Sequence, residues 1–291
     1  MNYRQVYELG KSRLEEADVA EAALDARILL EHVCGTSRND LLVHGDREVA
    51  EAQIDQYIEC ISRRQSREPL QHITGVQDFM GLEFAVNEHV LIPRQDTEIL
   101  VEEVMKDEFD GSRILDMCTG SGCILISLLH YSNWCKGVGV DISSAALAVS
   151  KENANKLLPE EKRPVFVESN LFEAVEGTFD IIVSNPPYIR TKVIENLMPE
   201  VKDYEPMQAL DGYEDGLYFY RRIVEEAGEY LNKDGRLYFE IGHDQGAEVS
   251  ELMKSAGYEQ VRVVKDYAGL DRVVCGVLKN NVRKEELCLI S

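Results

Sequence analysis

From residue 112 onward the chain alternates short apolar runs with segments of helical period, and this alternation restricts the fold more than any other feature. Strands are predicted at 113–116, 137–141, 165–168, 180–184, 236–241, 260–264 and 272–278. Helices are predicted between them at about 123–131, 144–157, 216–232 and 246–256. Strands of near-continuous Val, Ile and Leu separated by helices make a parallel sheet covered on both faces. Only 265–271 separates the last two strands. That is too short for a crossover helix, so the final strand is expected to run antiparallel. The fold class is therefore α/β, with a Rossmann-like, seven-stranded open sheet whose last strand is antiparallel.

The preceding stretch has a different period. Residues 1–72 show no strand pattern. Val6, Leu9 and Leu14 begin one helical stripe, Ala22, Leu24, Ile28, Leu29 and Val33 another, and Ile54, Tyr57, Ile58 and Ile61 a third. Asp18 and Glu21 have the spacing of a capping box, and Gly35 is placed to end that helix. In ITGVQDFMGLEFAVNEHVLIP (73–93) apolar residues alternate around Met80-Gly81, which suits a β-hairpin. Thr97 is a candidate N-cap for the helix that follows. The organisation expected is a helical domain over 1–72, a hairpin and linker helix over 73–110, the α/β domain over 111–279, and a tail over 280–291.

Composition excludes several classes. With 291 residues, 44% hydrophobic and 29% charged, the chain is neither collagenous nor disordered. Its net charge of −22 opposes a phosphate backbone, and the densest basic spot, Arg63, Arg64 and Arg67, is small. No nucleic-acid or membrane partner is expected. The seven cysteines include no CxxC pair, and the first residues lack an apolar leader core, which together suggest a reducing, cytoplasmic setting.

Two loops carry chemistry. ILDMCTGSGCI (114–124) joins the first strand to the first helix of the sheet. Gly120 and Gly122 permit a tight turn and close approach of a ligand to backbone. The second strand ends in Asp141, 21 residues beyond Gly120, where a carboxylate can accept both ribose hydroxyls of an adenosine. A dinucleotide and S-adenosylmethionine both fit this layout. Leu125 occupies the third small-residue position of a dinucleotide loop, which favours S-adenosylmethionine, with Asp116 available near its methionine end. SNLF (169–172) follows the third strand, where Asn170 suits the edge of adenine and Leu171 or Phe172 its face.

FDIIVSNPPYI (179–189) is the most informative segment. Asn185, Pro186, Pro187 and Tyr188 fall at the carboxyl end of a strand, where open sheets bind ligands. Two prolines stiffen the loop and remove two N–H donors. The Asn185 side-chain oxygen and the Pro186 carbonyl could hold the two N–H groups of a planar –NH2, beside the flat ring of Tyr188. Such acceptors stabilise charge growing on that nitrogen as it takes a methyl group. Cys118 and Cys123 read as small buried residues rather than nucleophiles, and the six histidines show no metal-ligand spacing.

The loop resembles the (D/N)PP(Y/F) signature of class I methyltransferases acting on planar amino groups. TGVQDFMGLEFAVNEHVLIPRQDTEILVE (74–102), EVKDYEPMQALDGYEDGLYFYRRI (200–223) and GRLYFEIGHDQG (235–246) narrow the likeness to the PrmC/HemK family. These are protein-(glutamine-N5) methyltransferases of class-1 peptide release factors, and the resemblance runs from about residue 3 to 278. It implies that Thr119, Gly120, Ser121 and Gly122 form the cofactor loop, with Cys118 where the family usually has Gly. It implies that Asp141 binds the ribose and that Asn170 stands where Asp is common. Asn185 to Tyr188 would bind the glutamine of a Gly-Gly-Gln loop, and Asn185 would also touch the cofactor. Arg94, Thr97 and Glu98 in IPRQDTE would border the cofactor, with Gln95 replacing a proline. The helical domain would dock the release factor. The alternatives are an amino-group methyltransferase of a DNA or RNA base, and a non-catalytic cofactor-binding scaffold.

Overall fold

The apolar strands sort their side chains onto two faces with a strict period of two. Ile114, Ile181, Val183, Tyr238, Val273 and Cys275 belong to one buried cluster. Their neighbours Leu115, Ile182, Leu237, Phe239 and Val274 belong to the other. Runs that are apolar at every position are what a sheet buried on both faces requires. The computed structural model describes residues 1–107 and 109–279, in two units: Met1–Val76 with Met198–Tyr204, and Gln77–Leu197 with the chain from Glu205 on. The tail expected over 280–291 lies outside the described residues.

The first unit holds α1 (Tyr3–Glu16), α2 (Ala22–Cys34), α3 (Arg38–Val43), α4 (Glu51–Gln65) and α5 (Leu70–Thr74). Val6, Leu14, Ala26, Leu29, Leu30, Tyr57 and Ile61 are its fully buried core. Gly10 is the contact point of α1 with α4, since a Cβ there would sit 1.9 Å from the Tyr57 Oη. Capping boxes form at Asn2/Gln5 and Ser37/Asp40. The box expected at Asp18 and Glu21 does not form. Glu21 is the N-cap of α2 without a side-chain bond, and Asp18, at φ 53°, is used to reverse the chain after α1. Gly35 ends α2 at φ 58°, as expected. The buried Arg64 guanidinium pairs with Asp25 at 2.7 Å and with Glu200 at 3.0 Å, which fastens the 198–204 segment to α2 and α4. The sequence patterning had grouped that segment with the α/β stretch.

The second unit begins with the expected hairpin, β1 (Val76–Phe79) and β2 (Leu82–Ala85). Its two-residue turn has Met80 and Gly81 both at positive φ, 51° and 70°, the signature of a type I′ turn. Helix α6 (Gln95–Lys106) follows and packs Ile99, Leu100 and Val101 into the sheet's first cluster with Phe79 and Phe84. Hairpin and helix are thus part of this unit's core.

Then come β3 (Arg113–Met117), α7 (Cys123–Tyr131), β4 (Lys136–Asp141), α8 (Ser144–Leu157), β5 (Val165–Glu168) and β6 (Phe179–Ser184). One-turn helices α9 (Thr191–Ile194), α10 (Pro199–Lys202, in the first unit) and α11 (Met207–Leu210) precede α12 (Tyr218–Tyr230). The chain closes with β7 (Leu231–Glu240), α13 (Gly246–Ser255), β8 (Tyr258–Lys265) and β9 (Asp271–Leu278). The sheet order is β5-β4-β3-β6-β7-β9-β8. β3 to β7 pair in parallel, and β9 runs antiparallel between β7 and β8. Strand order reverses between β3 and β6, so the carboxyl ends of β3, β4 and β6 frame the crevice where such sheets bind ligands.

Candidate active site

That crevice is a cavity of about 570 Å³ lined from the ends of β3, β4, β5 and β6 and from α6 and α12. It falls within the size range of small-molecule sites. Its floor is the 117–122 loop, which folds back on itself. The Thr119 N–H bonds the Val140 carbonyl at 2.9 Å and the Gly122 N–H bonds the Thr119 carbonyl at 2.8 Å. Gly122 caps α7 at φ 79°, and a Cβ there would meet Ile126 Cδ1 at 2.9 Å and Ser150 Cβ at 3.1 Å. Cys118 adopts φ 62°, a left-handed conformation that explains the glycine expected at this position in the family.

Asp141 faces the cavity with both carboxylate oxygens held from behind. The Gly120 N–H donates to Oδ2 and the Ser143 N–H to Oδ1, each at 2.9 Å. Burial pushes its pKa up, and these two amides pull it back. Each oxygen retains a lone pair for a hydroxyl of a ribose. Thr119, Gly120, Ser121, Cys118, Asn170 and Leu171 line the same cavity. The Asn170 side chain donates to Glu173 at 2.6 Å and accepts from Arg222 at 3.4 Å.

Two sequence assignments change. Asp116 is fully buried under the loop, accepts the Thr119 hydroxyl at 2.6 Å and does not line the cavity. Its role is to shape the loop, and burial raises its pKa to about 7. Phe172 is stacked on Tyr230 in the core, centroids 4.6 Å apart, so Leu171 is the apolar residue at the cavity wall.

Asn185 and Pro187 line the cavity from the end of β6. Asn185 Nδ2 donates to Thr97 Oγ1 at 3.4 Å, which leaves its Oδ1 as the free acceptor. Thr97 is not the N-cap of α6. Arg94, extended after Pro93, holds that position, and the Thr97 hydroxyl turns into the site. Pro186 and Tyr188 are not among the lining residues. The Tyr188 hydroxyl donates to buried Glu240 at 3.4 Å, because the polar tip of a largely buried ring needs a partner. Behind the loop the Tyr188 carbonyl accepts from Gln245 Nε2 at 3.2 Å, and Ile189 exchanges backbone bonds with Leu210 and Gly212.

Sequence reading missed several residues. Glu205, buried, accepts from the Arg94 guanidinium at 2.5 Å and the Ile92 N–H at 3.2 Å, fixing Arg94 at the cavity edge. Asn153 bonds the Ser121 carbonyl and both backbone groups of Ala85, so it ties the hairpin to the floor loop. Tyr213, Tyr218 and Phe219 form an aromatic rim with centroids 4.4 to 5.9 Å apart. Glu205 and the three rim aromatics all lie in the 200–223 stretch, so that stretch was the signal for them, whereas Asn153 is brought to the loop only by the fold.

A seven-stranded open sheet with an antiparallel strand beside β7, a cavity-lining carboxylate at the end of β4 and a glycine-hinged loop after β3 is the architecture of an S-adenosylmethionine-dependent methyltransferase. The fold agrees with that of a methyltransferase from Pyrococcus furiosus, at TM-score 0.54 and 18% identity over 75% of this chain and all of that one. Residues 5–75 match the family model described as PrmC N-terminal domain and 94–201 that of the methyltransferase small domain. A release factor glutamine methyltransferase of Agrobacterium fabrum is 40% identical over 91% of this chain and 93% of its own length. One of Geobacter sulfurreducens is 40% identical over 94% and 95%. The chain belongs to the release factor glutamine methyltransferase family.

Proposed function

We propose that this protein transfers a methyl group from S-adenosylmethionine to the side-chain amide nitrogen of the glutamine in the Gly-Gly-Gln loop of class-1 peptide release factors. The observation that carries this reading is the position of Asn185: with its Nδ2 engaged by Thr97, its side chain lines the same cavity as Asp141, where its amide oxygen would serve as an acceptor. An acceptor is what a planar –NH2 needs, since such a group offers two N–H donors and a weak lone pair.

The residues present fit the cofactor. Asp141 would take the ribose hydroxyls, Leu171 and Asn170 the adenine, and Cys118 to Gly122 the floor beneath the sulfonium side. Bound there, the sulfonium supplies an already activated methyl group. Asn185 Oδ1 accepts an N–H of the glutamine amide, while Pro186, which does not line the cavity, stiffens the loop that carries Asn185. Pro187 and the stiff backbone keep that acceptor aimed, which supplies much of the acceleration through orientation. Asn185 Oδ1 would stabilise the positive charge that grows on the amide nitrogen as it takes the methyl group. The surplus amide proton leaves to water, so no base of shifted pKa is needed beforehand. Tyr188 supports the loop from behind through Glu240.

The helical unit is proposed to dock the release factor. It carries the match to the PrmC N-terminal domain and, on α3, the exposed Leu42 and Val43. A net charge of −22 favours a protein over a nucleic-acid substrate. A translation factor as substrate places the activity in the cytoplasm. The test is transfer of tritium from labelled S-adenosylmethionine to purified release factor. Label is expected on the Gly-Gly-Gln protein and not on its Gly-Gly-Ala variant. Equal labelling of both, or none at saturating donor, overturns the proposal.

A further inference from the structure

Three aromatic rings stand on the cavity rim, and the chain keeps one of them there against its own conformational preference. Tyr213 is 4.4 Å from Tyr218 and 5.9 Å from Phe219 between centroids, and Tyr218 is 5.1 Å from Phe219. All three line the cavity. Tyr213 has φ 67°, a left-handed conformation that is unfavourable for a bulky side chain and that glycine adopts freely. The turn alone would therefore form more readily with glycine. Nor does the core need the ring. Tyr213 is 51% exposed, and neither it nor Tyr218 belongs to the two buried clusters of the sheet, although Phe219 packs against the second. A strained, half-exposed aromatic residue at the edge of a cavity has the character of a ligand contact.

The backbone indicates which ligand. Tyr213 is fastened to the segment that continues the NPPY loop. Its carbonyl accepts from the Thr191 N–H at 3.0 Å, and its N–H donates to Asp211 Oδ1 at 2.9 Å. The Thr191 hydroxyl donates to that same oxygen at 2.7 Å, and the Gly212 N–H donates to the Ile189 carbonyl at 2.8 Å. Among the described residues no hydrogen bond joins 211–216 to Asp141 or to the 117–122 loop. The ring is thus registered to the loop that carries Asn185, not to the groups that would hold the donor's ribose.

We propose that Tyr213, backed by Tyr218 and Phe219, is a specificity-determining surface that receives the glycine backbone preceding the acceptor glutamine and selects against a side chain there. This rests on the methyl-transfer reading above. A glutamine side chain is short, so when its amide meets Asn185 its own main chain lies at the cavity mouth. The glycines before it present bare peptide planes. The face of an aromatic ring is negative and attracts the N–H and Cα–H edges of such a plane. A Cβ would hold the plane away from the ring, whereas glycine permits close approach.

The test measures transfer of label from S-adenosylmethionine to purified release factor carrying Gly-Gly-Gln or Gly-Ala-Gln. The enzymes compared are the parent, Tyr213→Gly, Tyr213→Phe and Tyr218→Ala, with the donor Kd of each measured by calorimetry. Tyr213→Gly relieves the strained φ, so it is not expected to impair folding. It is expected to raise the KM for the Gly-Gly-Gln protein roughly tenfold, the scale of one aromatic contact, while the donor Kd stays within about twofold. The parent is expected to favour Gly-Gly-Gln over Gly-Ala-Gln by about tenfold or more in kcat/KM, and Tyr213→Gly to reduce that preference to under about threefold. Tyr213→Phe, which retains the ring, is expected to keep the parent's KM and preference. Tyr218→Ala, which strips the ring beside Tyr213, is expected to shift both in the direction of Tyr213→Gly. Parent-like KM and preference in both Tyr213→Gly and Tyr218→Ala overturn the proposal and leave the methyl-transfer reading standing. A weakened donor Kd with an unchanged KM for release factor also overturns it, and gives the rim to the adenine instead. Absence of label on the Gly-Gly-Gln protein with the parent enzyme overturns the methyl-transfer reading itself.

Discussion

Asn185 and Asp141 share one cavity, and in the proposed reaction they would serve different ligands, so their substitutions should separate cleanly. On that reading Asn185→Ala would remove the acceptor for the glutamine amide while leaving the ribose and adenine contacts of the donor in place. We expect kcat to fall by about 10²- to 10³-fold, the usual cost of deleting one oriented group that meets developing charge. The donor Kd, measured by calorimetry, should move less than threefold. Asp141→Ala does the reverse. It would delete the proposed charged acceptor for two ribose hydroxyls, and it frees the Gly120 and Ser143 amides that Asp141 now satisfies. Charge-assisted bonds contribute about 1.5–3 kcal/mol each, so donor binding should weaken at least tenfold. An unchanged Kd in Asp141→Ala would remove Asp141 from the donor site. At this scale the sequence was legible wherever a residue's neighbours along the chain define its job. Gly120, Gly122 and Asp141 sit in a strand–turn–helix frame that dictates their conformation. Thr97 looked like a cap because Thr commonly is one. Nothing nearby in sequence says that Asn185, 88 residues away, would occupy its hydroxyl.

The NPPY loop is rigid because a second element grips it. Gly212 and Gly216 lie so close to Tyr188 that side chains there cannot be accommodated. A Cβ on Gly212 would be 2.7 Å from the Tyr188 Cα. One on Gly216 would be 2.4 Å from the Tyr188 carbonyl oxygen and 2.7 Å from Gln245 Nε2. Gly216 also has φ 76°, which an L residue adopts at a cost of about 1 kcal/mol or more. Gly216→Ala is therefore expected to displace the loop and break the Gln245 bond. Displacement on the order of 1 Å at a reacting group costs about 10²-fold in rate. We expect that fall in kcat with the donor Kd nearly unchanged, since 211–216 does not hold Asp141 or the 117–122 loop. Equal losses in kcat and donor affinity would mean that the whole cavity had collapsed. Elements as such were largely legible: α7 and α8 occupy the predicted 123–131 and 144–157, and β9 is antiparallel as the short 265–271 link requires. The misreadings have physical causes. β7 begins at Leu231, not 236, because Leu231 pairs with Phe179 and the polar 232–235 stretch bulges before pairing resumes at Arg236 with Ile181. The 198–204 segment joins the helical unit through an ion pair between residues 136 apart, a distance no local pattern spans.

At the scale of the whole molecule, the unusual property is how many carboxyl groups are buried in an already acidic chain. Asp25, Asp141 and Glu205 are raised, and Asp116 and Glu240 are raised to about 7, burial being the first cause in each. Unfolding returns these groups to ordinary values near 4. The folded state thus binds more protons than the unfolded one between about pH 4 and 7, and stability must fall as pH rises through that window. The stabilisation is complete below the unfolded value and is lost as pH passes the folded one. Carboxyls lowered by partners, such as Asp215 beside Arg221 at about 2, act in the opposite sense but only below about pH 4. Between pH 6 and 8 the raised groups are left to decide the slope, and two with values near 7 contribute on the order of 2 kcal/mol across it. That corresponds to a few degrees in Tm for a domain of this size, with the higher Tm at pH 6. Repulsion within a chain of net charge −22 has the same sign, so slope alone does not identify the source. Salt separates them. Surface repulsion is screened within about 3 Å at 1 M ionic strength, whereas buried carboxyls are screened much less. Calorimetric Tm values at pH 6, 7 and 8 in high salt should therefore keep most of the decline. Asp116→Asn and Glu240→Gln together should flatten it. A Tm that rises with pH in high salt, or a decline that salt abolishes, would mean that these two carboxyls are not protonated in the folded protein near neutrality.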